Sequence, residues 1–260
     1  MPDIPTFLRR LADLGVTPNM VSYAGLAFAI VTAACFLAGA GHTLPWESPD
    51  SPAPTSWWPF AGAIFFGFSA IADVLDGQLA RRNGLATKFG AVLDSTLDRF
   101  GDMAVFIGCA MYFAARGNVS YVLIACLAMA ATTQISYVKA RAENLTSGLG
   151  VGFWQRAERM VAMILGGLLG RVPTVLCIMA LFPMFTVLRR VLLAHRLLGE
   201  ARDSRLEKAF DRTLPWRQPR FSTSYLALCA AITVAILVLP WVHPFFYGVM
   251  DPLRAALQLP

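Results

Sequence analysis

The stretch Asp73-Val-Leu-Asp76-Gly77-Gln-Leu-Ala80-Arg81 is followed, eight residues later, by Gly90-Ala-Val-Leu-Asp94-Ser-Thr-Leu-Asp98. Four carboxylates fall within these 26 residues, and the sequence on either side is apolar enough to cross a membrane. Asp73 and Asp76 are three apart and Asp94 and Asp98 four apart, so on helices each pair projects from one face. A charged side chain at membrane depth costs at least ~2.5–3.5 kcal/mol, which marks such residues for ion, proton or substrate chemistry. Asp73, Asp76, Asp94 and Asp98 offer only oxygen donors. Such a set suits a hard cation such as Mg²⁺, one ion or two. Gly77 allows close approach of a ligand, and Arg81 follows about one helical turn later.

The bulk composition places this cluster in a bilayer. Of the 260 residues, 57% are hydrophobic and only 15% charged, and the mean hydropathy is +0.57. These values lie outside the range of soluble domains and predict an all-α integral membrane protein. The five cysteines (Cys35, Cys109, Cys126, Cys177, Cys229) all lie in apolar runs without metal-ligand spacing and read as small core residues. The net charge of +6 is unevenly placed and belongs to membrane topology; no nucleic-acid partner is expected. Asp3, Arg9 and Arg10 precede the first long apolar run, so no cleaved leader is expected.

The apolar runs predict a six-span core with additions at both ends. Ile4, Phe7, Leu8, Leu11 and Leu14, with Arg9, Arg10 and Asp13 between them, make residues 1–16 an amphipathic helix on the membrane surface. A plain helical lead-in to the first span fits the same pattern. The core, residues 17–199, is expected to cross at about 20–40, 58–80, 89–114, 119–138, 160–169 and 174–194. Most of these runs are near the ~20 residues needed to cross the hydrocarbon. The fifth is short, and its Arg-bearing first turns from Arg156 onward are expected to be helical. Residues 200–220 read as a charged linker, and 221–260 as a seventh, C-terminal span with its tail.

Charge asymmetry sets the expected orientation. Of the 22 Lys and Arg residues, only Arg116, Arg171 and Arg254 fall on the proposed outer side. The segment 42–57, with four prolines, two acids and no Lys or Arg, reads as an outer loop ending in Trp57 and Trp58 at the interface. The positive-inside rule then puts the N-terminus and the aspartates on the cytoplasmic side and the C-terminus outside, as expected in a cell's inner membrane.

The pattern Asp73-x2-Asp76-Gly77-x2-Ala80-Arg81-x8-Gly90-x3-Asp94-x3-Asp98 resembles the signature of the CDP-alcohol phosphotransferases, with each of its fixed positions filled. The resemblance implies a membrane enzyme of phospholipid synthesis that moves a phosphatidyl unit from CDP-diacylglycerol to an alcohol and releases CMP. It implies Mg²⁺, as two ions and replaceable by Mn²⁺, held by Asp73, Asp76, Asp94 and Asp98. Asp98 is also the implied general base for the acceptor hydroxyl. Asp73, Gly77, Ala80, Arg81 and Gly90 would form the CDP-lipid site. A homodimer is expected by analogy. The seventh span and the long first outer loop depart from the smallest family members.

The acceptor is read from a second set of residues. Ser136, Lys139 and Arg141 end the fourth span, Arg156 and Arg159 precede the fifth, and Arg196 follows the sixth. They are either ordinary inside charge or a cradle for an anionic acceptor, since Arg holds phosphate through paired hydrogen bonds. The run Ser136-Tyr-Val-Lys139-Ala-Arg141-Ala-Glu143, with Arg156 and Arg159 beyond it, resembles the phosphatidylinositol phosphate synthase branch, as does Leu93 to Arg99. That likeness implies inositol phosphate as the small phosphorylated alcohol. Ala157 stands where a proline is expected. Glycerol phosphate, the acceptor of phosphatidylglycerophosphate synthase, is the alternative. From other classes, a membrane prenyltransferase would place its aspartate motifs farther apart. An ion-coupled transporter could use intramembrane aspartates, but would leave Gly77 and Arg81 without a role.

Overall fold

A computed structural model describes residues 14–40, 56–145, 152–198 and 225–236. Residues 1–13 of the expected surface helix, nearly all of the outer loop, the linker 200–220 and the expected C-terminal segment 221–260 apart from 225–236 lie outside these residues, and Leu14 and Gly15 form a turn, not helix. The described chain is helical: α1 (Pro18–Ala38), α2 (Trp58–Arg82), α3 (Lys88–Ala115), α4 (Val119–Glu143), α5 (Arg156–Leu168), α6 (Val172–Leu197) and α7 (Tyr225–Ile236). By length and composition α1, α2, α4 and α6 can each cross a membrane. The 28-residue α3 is long enough but carries Asp94, Asp98, Arg99 and Asp102 between its start and its middle, and α5 has only 13 residues. These apolar helices make the chain a multi-pass, all-α membrane protein. Ile64, Phe68, Ile71, Leu123, Leu127 and Leu181 point outward and are exposed, as lipid-facing side chains must be.

Helix starts follow local chemistry. Thr17 caps α1, accepting from Met20 N at 3.3 Å, with Pro18 in the first turn. Thr87 Oγ1 accepts from Gly90 N at 2.9 Å and starts α3; Asn118 Oδ1 accepts from Tyr121 N at 3.2 Å and starts α4. The α2–α3 turn closes on Gly84, whose φ of 66° is a left-handed conformation that costs glycine little.

The bundle packs α1 against α2 and α3, α3 against α4, α4 against α6, and α5 between α2 and α6. Small residues permit the α1–α3 contact. A Cβ on Gly101 would meet Ala29 Cβ at 3.1 Å, and one on Gly108 would run into the backbone of Ala33. The core joins Phe36, Phe66, Val105, Phe106, Ile135, Trp154, Leu176 and Met179, and Ile236 of α7 is buried in the same cluster. Up-and-down connections bring the start of α1, the end of α2, the start of α3 and the start of α5 to one end of the bundle. The Arg190 Nη1 bond to Ile135 O, at 2.5 Å, ties α6 to α4 a few residues before their C-termini. Those C-termini therefore reach the same end.

Candidate active site

Asp73 and Asp76 lie in the last turns of α2, and Asp94 and Asp98 in the second and third turns of α3. Because α2 and α3 are joined by a short turn, the two acidic faces meet. Carboxylate oxygens of Asp73, Asp76 and Asp94 all lie within 4.8 Å of one another. Ser22 of α1 donates to Asp76 Oδ2 at 2.6 Å, and Asp76 is only 4% exposed. Asp94 Oδ1 is buried with no hydrogen-bond partner among the described residues. Three carboxylates this close repel one another in a low dielectric, and an unpaired buried oxygen carries its full desolvation penalty. A divalent hard cation relieves both, and an all-oxygen donor set is the kind that Mg²⁺ or Mn²⁺ takes. The residues fit such an ion.

Asp98 stands beside this trio rather than in it. Its Oδ1 pairs with Arg156 Nη2 at 2.8 Å, while Arg156 Nη1 pairs with Asp73 Oδ1 at 2.5 Å. Arg156, the first residue of α5, thus bridges the acidic ends of α2 and α3. Asp73, Asp76, Asp98, Arg156 and Ser22 line one cavity, backed by Gly25 and Ala29 of α1 and by Gly101 of α3.

Asp102 extends the ladder of α3 by one more step of four, and it was not anticipated. Its Oδ2 lies 3.2 Å from Arg159 Nη2, and its Oδ1 is 3.8 Å from Arg156 Nε. Arg159 is buried and also donates to Trp154 O at 3.1 Å. The sequence carries this step in Asp94-x3-Asp98-x3-Asp102, one repeat beyond the fourth aspartate of the signature. Ser22 was missed too, and carried no local signal at all.

Of the expected CDP-lipid residues, Asp73 lines the acidic cavity, whereas Gly77, Ala80, Arg81 and Gly90 do not. A Cβ on Gly77 would lie 3.4 Å from Arg81 Nη2, so the guanidinium folds back over the glycine. Arg81 is exposed at the helix end and Ala80 half-buried. Gly90 lies against the start of α1, where an added Cβ would be 3.4 Å from Asn19 Oδ1.

The expected acceptor residues divide into two groups. Arg156 and Arg159 join the aspartates directly. Ser136, Lys139, Arg141 and Arg196 do not line the acidic cavity; Lys139 forms an ion pair with Glu143 at 3.8 Å along α4. Arg196 is one residue from the end of α6. At ~1.5 Å rise per residue, Lys139, Arg141 and Arg196 lie about 6–9 Å past the Arg190–Ile135 bond, on the face where the aspartates gather.

The model of the CDP-alcohol phosphatidyltransferase family matches residues 15–246. A phosphatidylinositol phosphate synthase of Mycolicibacterium smegmatis is 39% identical over 162 residues, 61% of this chain and 64% of that protein. One from Cutibacterium acnes is 36% identical over 197 residues, 70% of this chain and 86% of that protein. The crystal structure of Mycobacterium tuberculosis phosphatidylinositol phosphate synthase with CDP-DAG bound is similar with a TM-score of 0.63 and 27% identity, covering 76% of this chain and 96% of that one. The same M. tuberculosis enzyme has been solved in complex with manganese and citrate, with a TM-score of 0.61 to this chain. With the signature aspartates gathered at one end of a helical membrane bundle and most of the sequence matched, the chain belongs to the CDP-alcohol phosphatidyltransferase family of membrane enzymes.

Proposed function

We propose that this chain transfers the phosphatidyl unit of CDP-diacylglycerol to inositol phosphate and releases CMP. The observation that carries the proposal is the single cavity shared by Asp73, Asp76, Asp98 and Arg156. Asp98, read as the proton acceptor, lines it together with Asp73 and Asp76 of the oxygen-rich trio and the Arg156 guanidinium, which supports this reading. The relatives named above as phosphatidylinositol phosphate synthases support the acceptor, and the CDP-DAG-bound structure supports the donor.

In this reading Asp73, Asp76 and Asp94 hold Mg²⁺, with Asp98 a further donor if two ions bind, and Mn²⁺ can substitute. A bound ion would neutralise the diphosphate and make its phosphorus more electrophilic. Gly77, Ala80 and Gly90 leave room for the cytidine diphosphate, and Arg81 answers its charge. Arg156 and Arg159 hold the acceptor's phosphate, with Ser136, Lys139, Arg141 and Arg196 adding positive charge toward the same end of the bundle. Asp98 accepts the proton of the attacking hydroxyl. The new bond joins that oxygen to the lipid phosphorus, the bond to the bridging oxygen breaks, and CMP carries away the electron pair. No covalent enzyme intermediate is needed.

The site faces the cytoplasm in the cell's inner membrane, with the N-terminus inside and the C-terminus outside. Support comes from the basic residues Arg81, Arg82, Lys88, Lys139, Arg141, Arg156, Arg159 and Arg196, which share the bundle end of the aspartates, whereas Arg116 and Arg171 sit at the other. The catalytic unit is the core 17–199; residues 1–16, 200–220 and 221–260 are additions to it, and the enzyme works as a homodimer.

The test is an acceptor panel. Purified protein with CDP-diacylglycerol and Mg²⁺ is given inositol phosphate, glycerol phosphate, free inositol or no acceptor, and CMP release is followed. The highest kcat/KM is expected with inositol phosphate. A preference for glycerol phosphate would move the enzyme to the glycerophosphate branch, and equal rates with free inositol would remove the phosphate cradle.

A further inference from the structure

The geometry points to Tyr225, at the start of α7, as a positioning residue for the arginines that receive the acceptor. The inference rests on the acceptor reading above. The helix that carries Tyr225 is an addition to the six-helix core. Yet Tyr225 reaches the one turn from which Arg156 and Arg159 project.

Three contacts carry the argument. The Tyr225 hydroxyl donates to Glu158 Oε1 at 3.0 Å. Glu158 lies in the first turn of α5, between Arg156 and Arg159, and is only 9% exposed. A carboxylate is favoured there by the helix dipole, but a buried one needs donors. The Tyr225 ring also packs on Phe153 at 5.5 Å between centroids, and Phe153 packs edge-on against Trp154 at 5.5 Å. Trp154 in turn offers its carbonyl to Arg159 at 3.1 Å.

The start of α7 therefore grips the segment 153–159 at both ends, through the aromatic pair before α5 and through the carboxylate in its first turn. This segment has no side-chain N-cap: Gln155 occupies the cap position without a capping hydrogen bond. Its aim is set by tertiary contacts, and Tyr225 supplies two of them. A shift of the first turn by even a fraction of an ångström changes the Arg156 bridge to Asp73 and Asp98, at 2.5 and 2.8 Å. Burial of Ile236 in the core cluster fixes the other end of α7 and gives the grip a rigid anchor.

The experiment uses the full-length enzyme and steady-state kinetics with each substrate varied in turn. Tyr225→Phe keeps the ring on Phe153 and removes only the hydroxyl. It is expected to raise the KM for inositol phosphate about tenfold, the scale of one hydrogen bond to a charged group, while the KM for CDP-diacylglycerol stays within twofold of wild type. Glu158→Gln probes the same contact from the other side and reads it if Tyr225→Phe fails to fold. The double variant should be no worse than the more affected single one, because both remove one interaction. A merely structural role would lower the melting temperature and the fraction of active enzyme, and leave both KM values unchanged. That outcome, or a parallel rise of both KM values, overturns the inference. Failure of the acceptor reading would show separately, as wild type that turns over CDP-diacylglycerol without preferring inositol phosphate.

Discussion

Replacing Asp102 by Asn removes one charge from the ladder and leaves its shape almost unchanged. In the structure Asp102 answers Arg159, whose side chain is 6% exposed, while its own is 18% exposed. Removing one partner of a buried pair typically costs about 3–5 kcal/mol, because the other charge stays desolvated and unpaired. Here Asn still offers an acceptor oxygen and Trp154 O still takes one Arg159 N–H, so about 2–3 kcal/mol is expected from the charge alone. For a chain of this size that corresponds to a fall in melting temperature of about 5–10 °C. The assay is thermal unfolding of the purified protein in one detergent, followed by intrinsic fluorescence. Adding Arg159→Gln should recover part of the loss, because no buried charge is then left unmatched. A melting temperature within about 1 °C of wild type in Asp102→Asn would refute the buried pair.

Asp98→Asn should retain the fold and bind CDP-diacylglycerol, but turn over at least ~10²-fold more slowly, as loss of a general base does; equal rates would assign the proton to another group. Chelation by EDTA should abolish CMP release, and added Mg²⁺ or Mn²⁺ should restore it; activity that survives chelation, or full activity in Asp76→Asn, would remove the cation from the acidic trio. Arg156→Gln should raise the inositol phosphate KM strongly and leave the CDP-diacylglycerol KM near wild type, the pattern of lost binding to one substrate; an unchanged acceptor KM would return Arg156 to a structural bridge. Gly101→Val should destabilise by about 1–3 kcal/mol through overpacking, since its Cβ would already crowd Ala29 at 3.1 Å, and a melt equal to wild type would argue against the close α1–α3 approach.

The aspartate motif was legible because its chemistry is local in sequence: a short turn joins α2 to α3, so spacing along the chain translates directly into facing pairs. Helix positions between residues 18 and 197 were legible for the same reason, since hydropathy is a property of one helix at a time. The shortness of the fifth apolar run, about 160–169, also made its Arg-bearing first turns legible as helix, and α5 begins at Arg156. What could not be read were contacts made by packing. Ser22 and Asp76 are 54 residues apart, Arg159 and Asp102 57, and Tyr225 and Glu158 67. No periodicity encodes such pairs. Arg156 illustrates the ambiguity: a basic residue at a helix start on the side expected to be cytoplasmic satisfies the positive-inside rule whether or not it touches the site, and only the fold shows it between Asp73 and Asp98. Lys139, Arg141 and Arg196 share that ambiguity, and the fold brings them to the same face without bringing them into the cavity.

The most direct measurement is the identity of the lipid product. Purified enzyme, CDP-diacylglycerol, inositol phosphate and Mg²⁺ are incubated together, and lipid and nucleotide from the same reaction are resolved by mass spectrometry. Phosphatidyl transfer to inositol phosphate requires one phosphatidylinositol phosphate for each CMP, and neither product in Asp98→Asn beyond a trace. CMP accompanied by phosphatidic acid, or a lipid of unchanged mass beside intact inositol phosphate, would contradict it.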